Sequence, residues 1–231
     1  KFIVISGVDG SGKTTKAKAI QQYLTSMGVN VTYVWFRWNA YLSYLPLLLA
    51  KIAKLTIFKR INDNVVIVRR YYRCKPLSYL WIITQTIDFI IAHLLSLLRA
   101  RILSKTSVVI YDRFIVPDKL IDLIYETRVN VLRIPLMKAL IYWFLKNLRK
   151  GRFILVYMKV SPQTVLRRRS DLPSKSYPYV YVTLYNSLTT LLINEKNTLV
   201  LYGDRDLREN LIKTIAFINE KLLSYYKGDE K

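Results

Sequence analysis

The sequence predicts an α/β fold with a five-stranded parallel sheet and helices on both of its faces. Short apolar runs alternate with longer helical stretches five times along the chain, the pattern of parallel strands joined by crossover helices. A glycine-rich loop separates the first apolar run from the first helical stretch. The chain has 231 residues and is 52% hydrophobic, so it can bury a core of ordinary size.

Five apolar runs are the predicted strands, since an uninterrupted apolar run is typical of a strand buried on both faces. They are Phe2–Ser6, Val31–Phe36, Ser107–Asp112, Arg152–Val160 and Asn197–Gly203. The predicted helices are Lys13–Met27, Ala40–Leu55, Leu77–Leu103, Asp118–Glu126, Pro135–Leu148, Val180–Asn194 and Leu207–Tyr226. Ser161 as an N-cap and Pro162 at the first helical position predict a further short helix after the fourth strand.

Residues 40–76 interrupt the alternation, and we interpret them as a helical and basic insertion after the second strand. Within it, Val65–Arg73 is β-branched and then basic, which predicts either a strand or an exposed hairpin arm. No linker divides the chain, so we expect one domain over residues 1–231. The polar, proline-bearing stretch Ser170–Tyr179 makes a candidate lid, which we bound at about residues 167–179.

The composition limits the kinds of binding partner and metal site that the chain can have. The 37 basic and 15 acidic residues give a net charge of +22, a field that attracts nucleic acid, anionic lipid surfaces or nucleotides. One cysteine and one histidine exclude a disulfide framework and a zinc site. The N-terminal residues show no signal-peptide pattern, and we expect a cytoplasmic protein.

Two apolar stretches raise the question of a membrane. Tyr79–Leu98 has the length of a span but carries Gln85, Asp88 and His93, so we expect a core helix rather than a membrane partner. Tyr41–Phe58 is broken by Pro46 and two lysines. It predicts an amphipathic helix that packs on the core or on a membrane surface.

The stretch "GVDGSGKT" at Gly7–Thr14 fits the phosphate-binding loop pattern and lies between a strand and a helix. Glycines let backbone N–H groups turn towards phosphate oxygens, and the helix N-terminus adds a positive dipole. We predict that ATP and Mg²⁺ bind here, with Lys13 on the β- and γ-phosphates and Thr14 on the metal. The predicted nucleotide-binding residues are Gly7, Gly10, Ser11, Gly12, Lys13, Thr14 and Thr15.

Two further groups of residues are candidates for chemistry. Asp112 ends the third strand and Arg113 follows it, at the edge where ligands of parallel sheets bind. Asp112 would hold Mg²⁺ or orient an acceptor, and Arg113 would clamp a phosphoryl group. Arg167, Arg168 and Arg169 lie at the start of the candidate lid, before its polar stretch, and we predict that at least one stabilises the charge of phosphoryl transfer.

These motifs in this order resemble the thymidylate kinase family of P-loop kinases. "FIVISGVDGSGKTTKA", "VVIYDRF", "LVYMKVSPQTVLRRR" and "TLVLYGDRDLRENLIKTI" match its first strand and loop, its Asp-Arg-Tyr segment, its lid region and its last strand and helix. The resemblance implies that Asp9 contacts the acceptor sugar and that Arg37 grips the acceptor phosphate. Gly10 implies a catalytic arginine in the lid, and family members are commonly dimers.

The sequence departs from the family on the acceptor side. After the second strand it has Arg37-Trp38-Asn39-Ala40, where the family has Arg-Glu-Pro-Gly-Gly. The family's base-reading arginine has no counterpart, and Gln85 or Asp88 falls near its place. The resemblance therefore supports phosphoryl transfer more than thymidylate as the acceptor.

Three hypotheses stay open at this point. The first is an ATP-dependent nucleoside monophosphate kinase, with Arg37, Asp112 and the lid arginines acting on the acceptor. The second is a nucleotide-dependent protein bound to RNA or DNA, because "VRRYYRCKP" combines arginines with tyrosines that can stack on bases. The third is a peripheral membrane protein that uses Tyr41–Phe58.

Overall fold

A computed structural model describes residues 1–36, 40–61, 64–102, 108–190 and 196–226. The central sheet has the strand order β2-β5-β1-β6-β7, and every neighbouring pair is parallel. The predicted five-stranded α/β sheet is therefore confirmed. Its strands are β1 (Phe2–Gly7), β2 (Val31–Trp35), β5 (Val108–Asp112), β6 (Phe153–Lys159) and β7 (Thr198–Tyr202), and the separate strands β3 (Thr56–Ile61) and β4 (Asn64–Arg69) pair antiparallel.

Helices cover both faces of the sheet. They are α1 (Lys13–Ser26), α2 (Tyr44–Ile52), α3 (Lys75–Ile102), α4 (Leu120–Thr127), α5 (Pro135–Arg149), α6 (Pro162–Arg168), α7 (Tyr177–Thr190) and α8 (Leu207–Tyr226). Short 3₁₀ turns lie at Tyr71–Arg73 and Val131–Arg133, and a π-type turn lies at Ile115–Lys119. Ser161 caps α6 as predicted, since its side chain accepts a hydrogen bond from Thr164 N.

Successive side chains of a strand point to opposite faces of the sheet, so they pack into two separate cores. Ile3 and Ile5 of β1 pack with residues of α1 and α8 on one face. Val4, between them, packs with Phe89 of α3 and Phe144 of α5 on the other. All three strand residues are fully buried, so β1 is apolar without interruption from Phe2 to Ile5, which explains why its run is readable in the sequence.

The insertion differs from the prediction of one helix over Ala40–Leu55. Helix α2 ends at Ile52, Lys54 adopts a left-handed conformation with φ of 54°, and the chain then enters β3. The β-branched residues of "TIFKRI" favour a strand over a further helical turn. Val65–Arg69 pairs with this strand as the arm of a hairpin, one of the two predicted alternatives.

The long helix α3 has the length and apolarity of a membrane span over Lys75–Ala100, and half of its most apolar window is buried within the fold. Its polar residues have partners in the core. His93 Nδ1 lies 2.9 Å from the Tyr111 hydroxyl, and burial lowers the pKa of His93 to about 4, so the imidazole is neutral near pH 7. In this fold α3 packs as a core helix.

Asp88 of α3 anchors the start of α2. Its carboxylate accepts hydrogen bonds from the backbone N–H groups of Tyr41, Leu42 and Ser43 at 2.8–2.9 Å. It also accepts one from the Ser43 hydroxyl, to which Gln85 donates. Asp88 and Gln85 therefore hold the insertion to the core.

We expect Asp88→Ala to lower the free energy of unfolding by about 2–4 kcal/mol, because three N–H groups and the buried Ser43 hydroxyl lose a charged acceptor. Urea denaturation followed by circular dichroism measures the change. Glu220→Ala is the control, because the loss of this exposed carboxylate should leave stability close to that of the wild type. Equal stability of the two variants would contradict the anchoring role.

Candidate active site

The loop between β1 and α1 is shaped by glycines. Gly7, Gly10 and Gly12 all have positive φ, of 146°, 83° and 91°. A Cβ on Gly7 would lie 2.5 Å from the Met158 carbonyl oxygen, so a side chain there would clash. Gly12 precedes α1 without a side-chain cap, which leaves the first N–H groups of the helix available to an anion.

Lys13, at the start of α1, lies inside this loop. Its Nζ donates a hydrogen bond to the Val8 carbonyl oxygen at 2.8 Å and lies 3.7 Å from Asp9 Oδ1. The side chain is nearly buried, so the positive charge is held beside the helix N-terminus. This pairing of a lysine with open N–H groups is suited to the oxygens of a polyphosphate.

Asp112, at the end of β5, contacts the same loop. Its Oδ2 accepts hydrogen bonds from Thr14 Oγ1 at 2.6 Å and from the Tyr33 hydroxyl at 2.9 Å. Burial, followed by this hydrogen bond and the charge of Asp112, raises the pKa of Tyr33, which keeps the phenol a donor. Asp112 Oδ1 is buried and has no hydrogen-bond partner within the described residues.

The pair of Thr14 and Asp112 fits a magnesium ion. A hydroxyl and a carboxylate are oxygen ligands, and the unpaired Oδ1 offers a further one. The described residues contain no group of three or more His, Cys, Asp or Glu side chains that could hold a metal alone. Magnesium at this position would therefore take most of its ligands from phosphate and water.

Asp9 and Arg113 form an ion pair at the edge of the loop, with only 11% of each side chain exposed. Arg113 has a φ of 73°, a conformation that non-glycine residues seldom adopt. The turn directs the chain away from the sheet directly after Asp112. The structure thus brings together two residues that the sequence placed at the acceptor, from loops about a hundred positions apart.

The three candidate arginines occupy different environments. Arg169 lies over the loop: a Cβ on Gly10 would be 3.1 Å from its Cγ, and it pairs with Asp171 through two hydrogen bonds of 2.6 Å. Arg168 donates to the carbonyl oxygens of Gly10 and Gly203. Arg167 is exposed, and we find no contact between it and the loop within the described residues.

A cavity of about 530 Å³ opens over the loop. Its walls combine the loop backbone with cationic and aromatic side chains: Asp9, Gly10, Gly12, Lys13, Thr14, Thr15, Lys18, Tyr33, Trp35, Arg113 and Arg169. The cavity therefore contains most of the predicted nucleotide-binding residues. Gly7 and Ser11 support it from below, since Ser11 is buried and its N–H donates to the Val8 carbonyl oxygen.

A second cavity of about 390 Å³ adjoins the first and shares Asp9, Arg113 and Arg169 with it. Hairpin strand β4, helices α4 and α7 and the candidate lid form its other walls. Charged and aromatic residues that sequence reasoning missed line it: Arg69, Lys119, Asp122, Tyr125, Glu126, Tyr177 and Tyr181. The lid contributes Asp171, Leu172 and Pro173.

Glu126 and Asp122 are held in place by neighbours. Glu126 accepts hydrogen bonds from Arg69 at 2.6 Å and from the Trp81 indole at 2.8 Å. Asp122 accepts one from the Tyr181 hydroxyl at 3.1 Å. These contacts fix the orientation of both carboxylates at the cavity wall.

Asp118 is a buried carboxylate that contacts the phosphate loop. Its carboxylate accepts hydrogen bonds from the N–H groups of Gly7 and Phe114 at 3.4 and 3.2 Å, and from the Tyr185 hydroxyl at 2.7 Å. Burial raises the pKa of Asp118, against the opposing effects of Lys13 and Arg113. One buried carboxylate thus ties the phosphate loop, the turn after β5 and α7 together.

A spacing signal for the second cavity exists in the sequence. Asp118, Asp122 and Glu126 recur every fourth residue, which places them on one face of a helix. In a chain of charge +22, three carboxylates on one face predict a local site. Arg37, the predicted phosphate-gripping residue, lies outside the described residues.

Comparisons with protein-family models and with curated proteins give no match. Among solved structures, the chain is similar to deoxyadenosine kinase from M. mycoides with bound dATP, at 17% identity and a TM-score of 0.52. It is also similar to the same enzyme with the products dCMP and a flexible dCDP bound, at 15% identity and a TM-score of 0.51. Each match covers 95% of this chain and 100% of the other.

At this identity the likeness shows a shared fold. The chain therefore has the P-loop kinase fold that the sequence predicted, over nearly its whole length. The matched structures are deoxyadenosine kinases, so the resemblance to thymidylate kinases stays a prediction.

We expect Lys13→Met to weaken the binding of ATP by about 10–100-fold, because a charge-assisted contact contributes about 1.5–3 kcal/mol. Isothermal titration calorimetry measures the affinity. Lys213→Met is the matched control, since Lys213 is half-exposed and pairs with Glu209 on α8. A Lys13→Met protein that binds ATP as tightly as the control would contradict the assignment of the loop.

Proposed function

We propose that the protein transfers the terminal phosphoryl group of ATP to an acceptor bound in the adjoining cavity. One observation carries the proposal. Two cavities of about 530 and 390 Å³ share Asp9, Arg113 and Arg169, and the larger one lies over the phosphate loop. A donor in the first and an acceptor in the second would meet at these three residues, which is the proximity that phosphoryl transfer requires.

In this proposal the phosphate loop and Lys13 hold the triphosphate, and Thr14 and Asp112 hold magnesium. When bound, magnesium would neutralise charge on the phosphate oxygens. Arg113 and Arg169 flank the shared boundary, where they would stabilise the charge that develops on the transferred group. The fit of the Thr14–Asp112 pair to magnesium supports ATP and Mg²⁺ as the cofactors.

The charges of the second cavity favour a nucleoside as acceptor. Its carboxylates are Asp9, Asp122, Glu126 and Asp171, and its cations are Arg69, Arg113, Lys119 and Arg169. The four charges of each sign cancel, and three arginines already pair with carboxylates. A neutral acceptor would keep these pairs and place its hydroxyl groups on the carboxylates. A doubly charged monophosphate would need cations that are not so engaged.

Asp9 is the carboxylate at the boundary, since it lines both cavities. We propose that its carboxylate accepts the proton of the acceptor hydroxyl. The hydroxyl oxygen forms a bond to the γ-phosphorus as the bond between that phosphorus and the bridging oxygen of ADP breaks, and the proton passes to the carboxylate. The shared fold with deoxyadenosine kinase is consistent with a nucleoside acceptor.

A nucleoside monophosphate, the acceptor predicted from the sequence, is the second candidate. Lys119 lines the cavity beside Arg113 and would meet a phosphate if the carboxylate pairs rearranged. A homodimer also stays a proposal. Helix α3 exposes Tyr79, Ile83, Leu94 and Leu98, an apolar face of the kind that pairs with a second copy.

We expect ADP release with at least one nucleoside when nucleosides and nucleoside monophosphates are compared with ATP and Mg²⁺ in a coupled assay. Asp122→Asn should raise the KM for that nucleoside about tenfold, the effect of one charged hydrogen bond. It should leave the KM for ATP unchanged.

Glu220→Gln, on the exposed face of α8, is the control and should match the wild type. Turnover with a monophosphate and with no nucleoside would contradict the nucleoside assignment. No turnover with either class would reject phosphoryl transfer.

We expect Arg169→Ala to lower kcat about a thousandfold, because an arginine at the transferred group supplies an effect of this order. Arg167→Ala, two positions away and exposed, should retain kcat within about twofold. Steady-state kinetics of both variants separate a catalytic arginine from the general positive charge of α6. Equal losses in the two variants would assign the effect to that charge.

A further inference from the structure

The insertion exposes a continuous apolar surface, which we call the α2–hairpin surface. Helix α2 and the hairpin β3–β4 form it. Its most exposed apolar side chains include Ile52, Tyr44 and Val65, with 71%, 68% and 63% of each accessible. Single exposed apolar side chains are common on protein surfaces, whereas a group of them on a neighbouring helix and hairpin indicates an interaction surface.

A groove of about 480 Å³ runs between α2 and the hairpin. Leu47 and Leu48 form one wall, and Phe58 and Ile67 form the other. Lys51 lies at its edge. The surface thus contains a groove with apolar walls as well as exposed apolar side chains around it.

The same segment is strongly basic. Residues 40–75 contain eight lysines and arginines and one acidic residue, Asp63, which lies outside the described residues; the net charge is 8 − 1 = +7. Lys51, Lys54, Lys59 and Arg60 are exposed among the apolar side chains. Exposed aliphatic groups interspersed with cations are the composition of a segment that lies in a lipid–water interface.

We propose that the α2–hairpin surface docks on an anionic lipid bilayer. The aliphatic side chains of α2 would enter the acyl boundary, and the basic residues would lie at the level of the acidic headgroups. A second copy fits less well, because each copy would bring the exposed cations of this surface, Lys51, Lys54, Lys59 and Arg60, against those of the other. RNA fits less well, because sequence-tolerant RNA binding relies on aromatic stacking, whereas leucine and isoleucine dominate α2.

The α2–hairpin surface adjoins the second cavity. Ile67 and Arg69 line both the groove and the second cavity of the active site. A bilayer against the hairpin would therefore contact one wall of that cavity. The docking itself does not depend on the phosphoryl-transfer proposal, since none of its side chains belongs to the phosphate loop.

Vesicle flotation tests the proposal with the full chain. We expect wild-type protein to float with vesicles of phosphatidylcholine and phosphatidylglycerol, and to stay behind with phosphatidylcholine alone. Lys51→Gln with Lys59→Gln should weaken partitioning about 25-fold, or about fivefold for each basic residue removed. Leu45→Glu with Ile52→Glu should weaken it by about tenfold or more.

The matched control is Ile212→Glu with Leu223→Glu, which places the same charges at exposed apolar positions of α8 and should float like the wild type. Circular dichroism and ATP binding by each variant confirm an intact fold. Three results would overturn the proposal. The first is that the wild type does not float. The second is that the α8 control loses as much vesicle binding as Leu45→Glu with Ile52→Glu. The third is a wild-type dimer in analytical ultracentrifugation that only Leu45→Glu with Ile52→Glu abolishes. An RNA complex that forms where the vesicles fail to bind would overturn it as well.

Discussion

The parallel pairing of β1 with β5 is the constraint on which the site depends. Ile5 lies opposite Asp112 in this pairing, so both strands reach the same edge of the sheet together. The phosphate loop leaves one strand there, and Asp112 and Arg113 leave the other. The hydrogen bond from Thr14 to Asp112 and the ion pair between Asp9 and Arg113 follow from this register, because a slip of one residue would turn each side chain to the opposite face.

The few carboxylates of this basic chain are concentrated around the site. Six of the 15 acidic residues line the cavities or support them: Asp9, Asp112, Asp118, Asp122, Glu126 and Asp171. The four of them that line the second cavity match its four cations in number, although the whole chain carries +22. The excess positive charge therefore lies elsewhere, and one concentration of it is the insertion. This separation supports two different partners, a small acceptor in the cavity and a larger anionic surface outside it.

The sequence predicted those parts of the fold whose signals are local. The buried strands appear as continuous apolar runs, and the phosphate loop is a contiguous motif whose glycines are each required by the backbone. Only the second strand of the hairpin was predicted. The first strand, "TIFKRI", follows a helix without a proline or glycine between them. The turn at Lys54 has a left-handed conformation, which a lysine in the sequence does not indicate. The wall of the second cavity was missed for another reason. Arg69 and Glu126 line this wall, and Trp81 donates a hydrogen bond to Glu126. The three residues come from three elements, and only the tertiary fold brings them together.

Gly10 and Arg169 show how one position can depend on a distant one. The sequence associated a glycine in the loop with an arginine in the lid by resemblance, and the structure supplies a steric reason. Even a Cβ at Gly10 would lie 3.1 Å from Arg169 Cγ, closer than two carbon atoms ordinarily approach. A long side chain at position 10 would therefore occupy the volume that the Arg169 side chain now fills. Loop and lid compete for one space above the phosphate site, and a glycine in the loop leaves that space to the arginine of the lid.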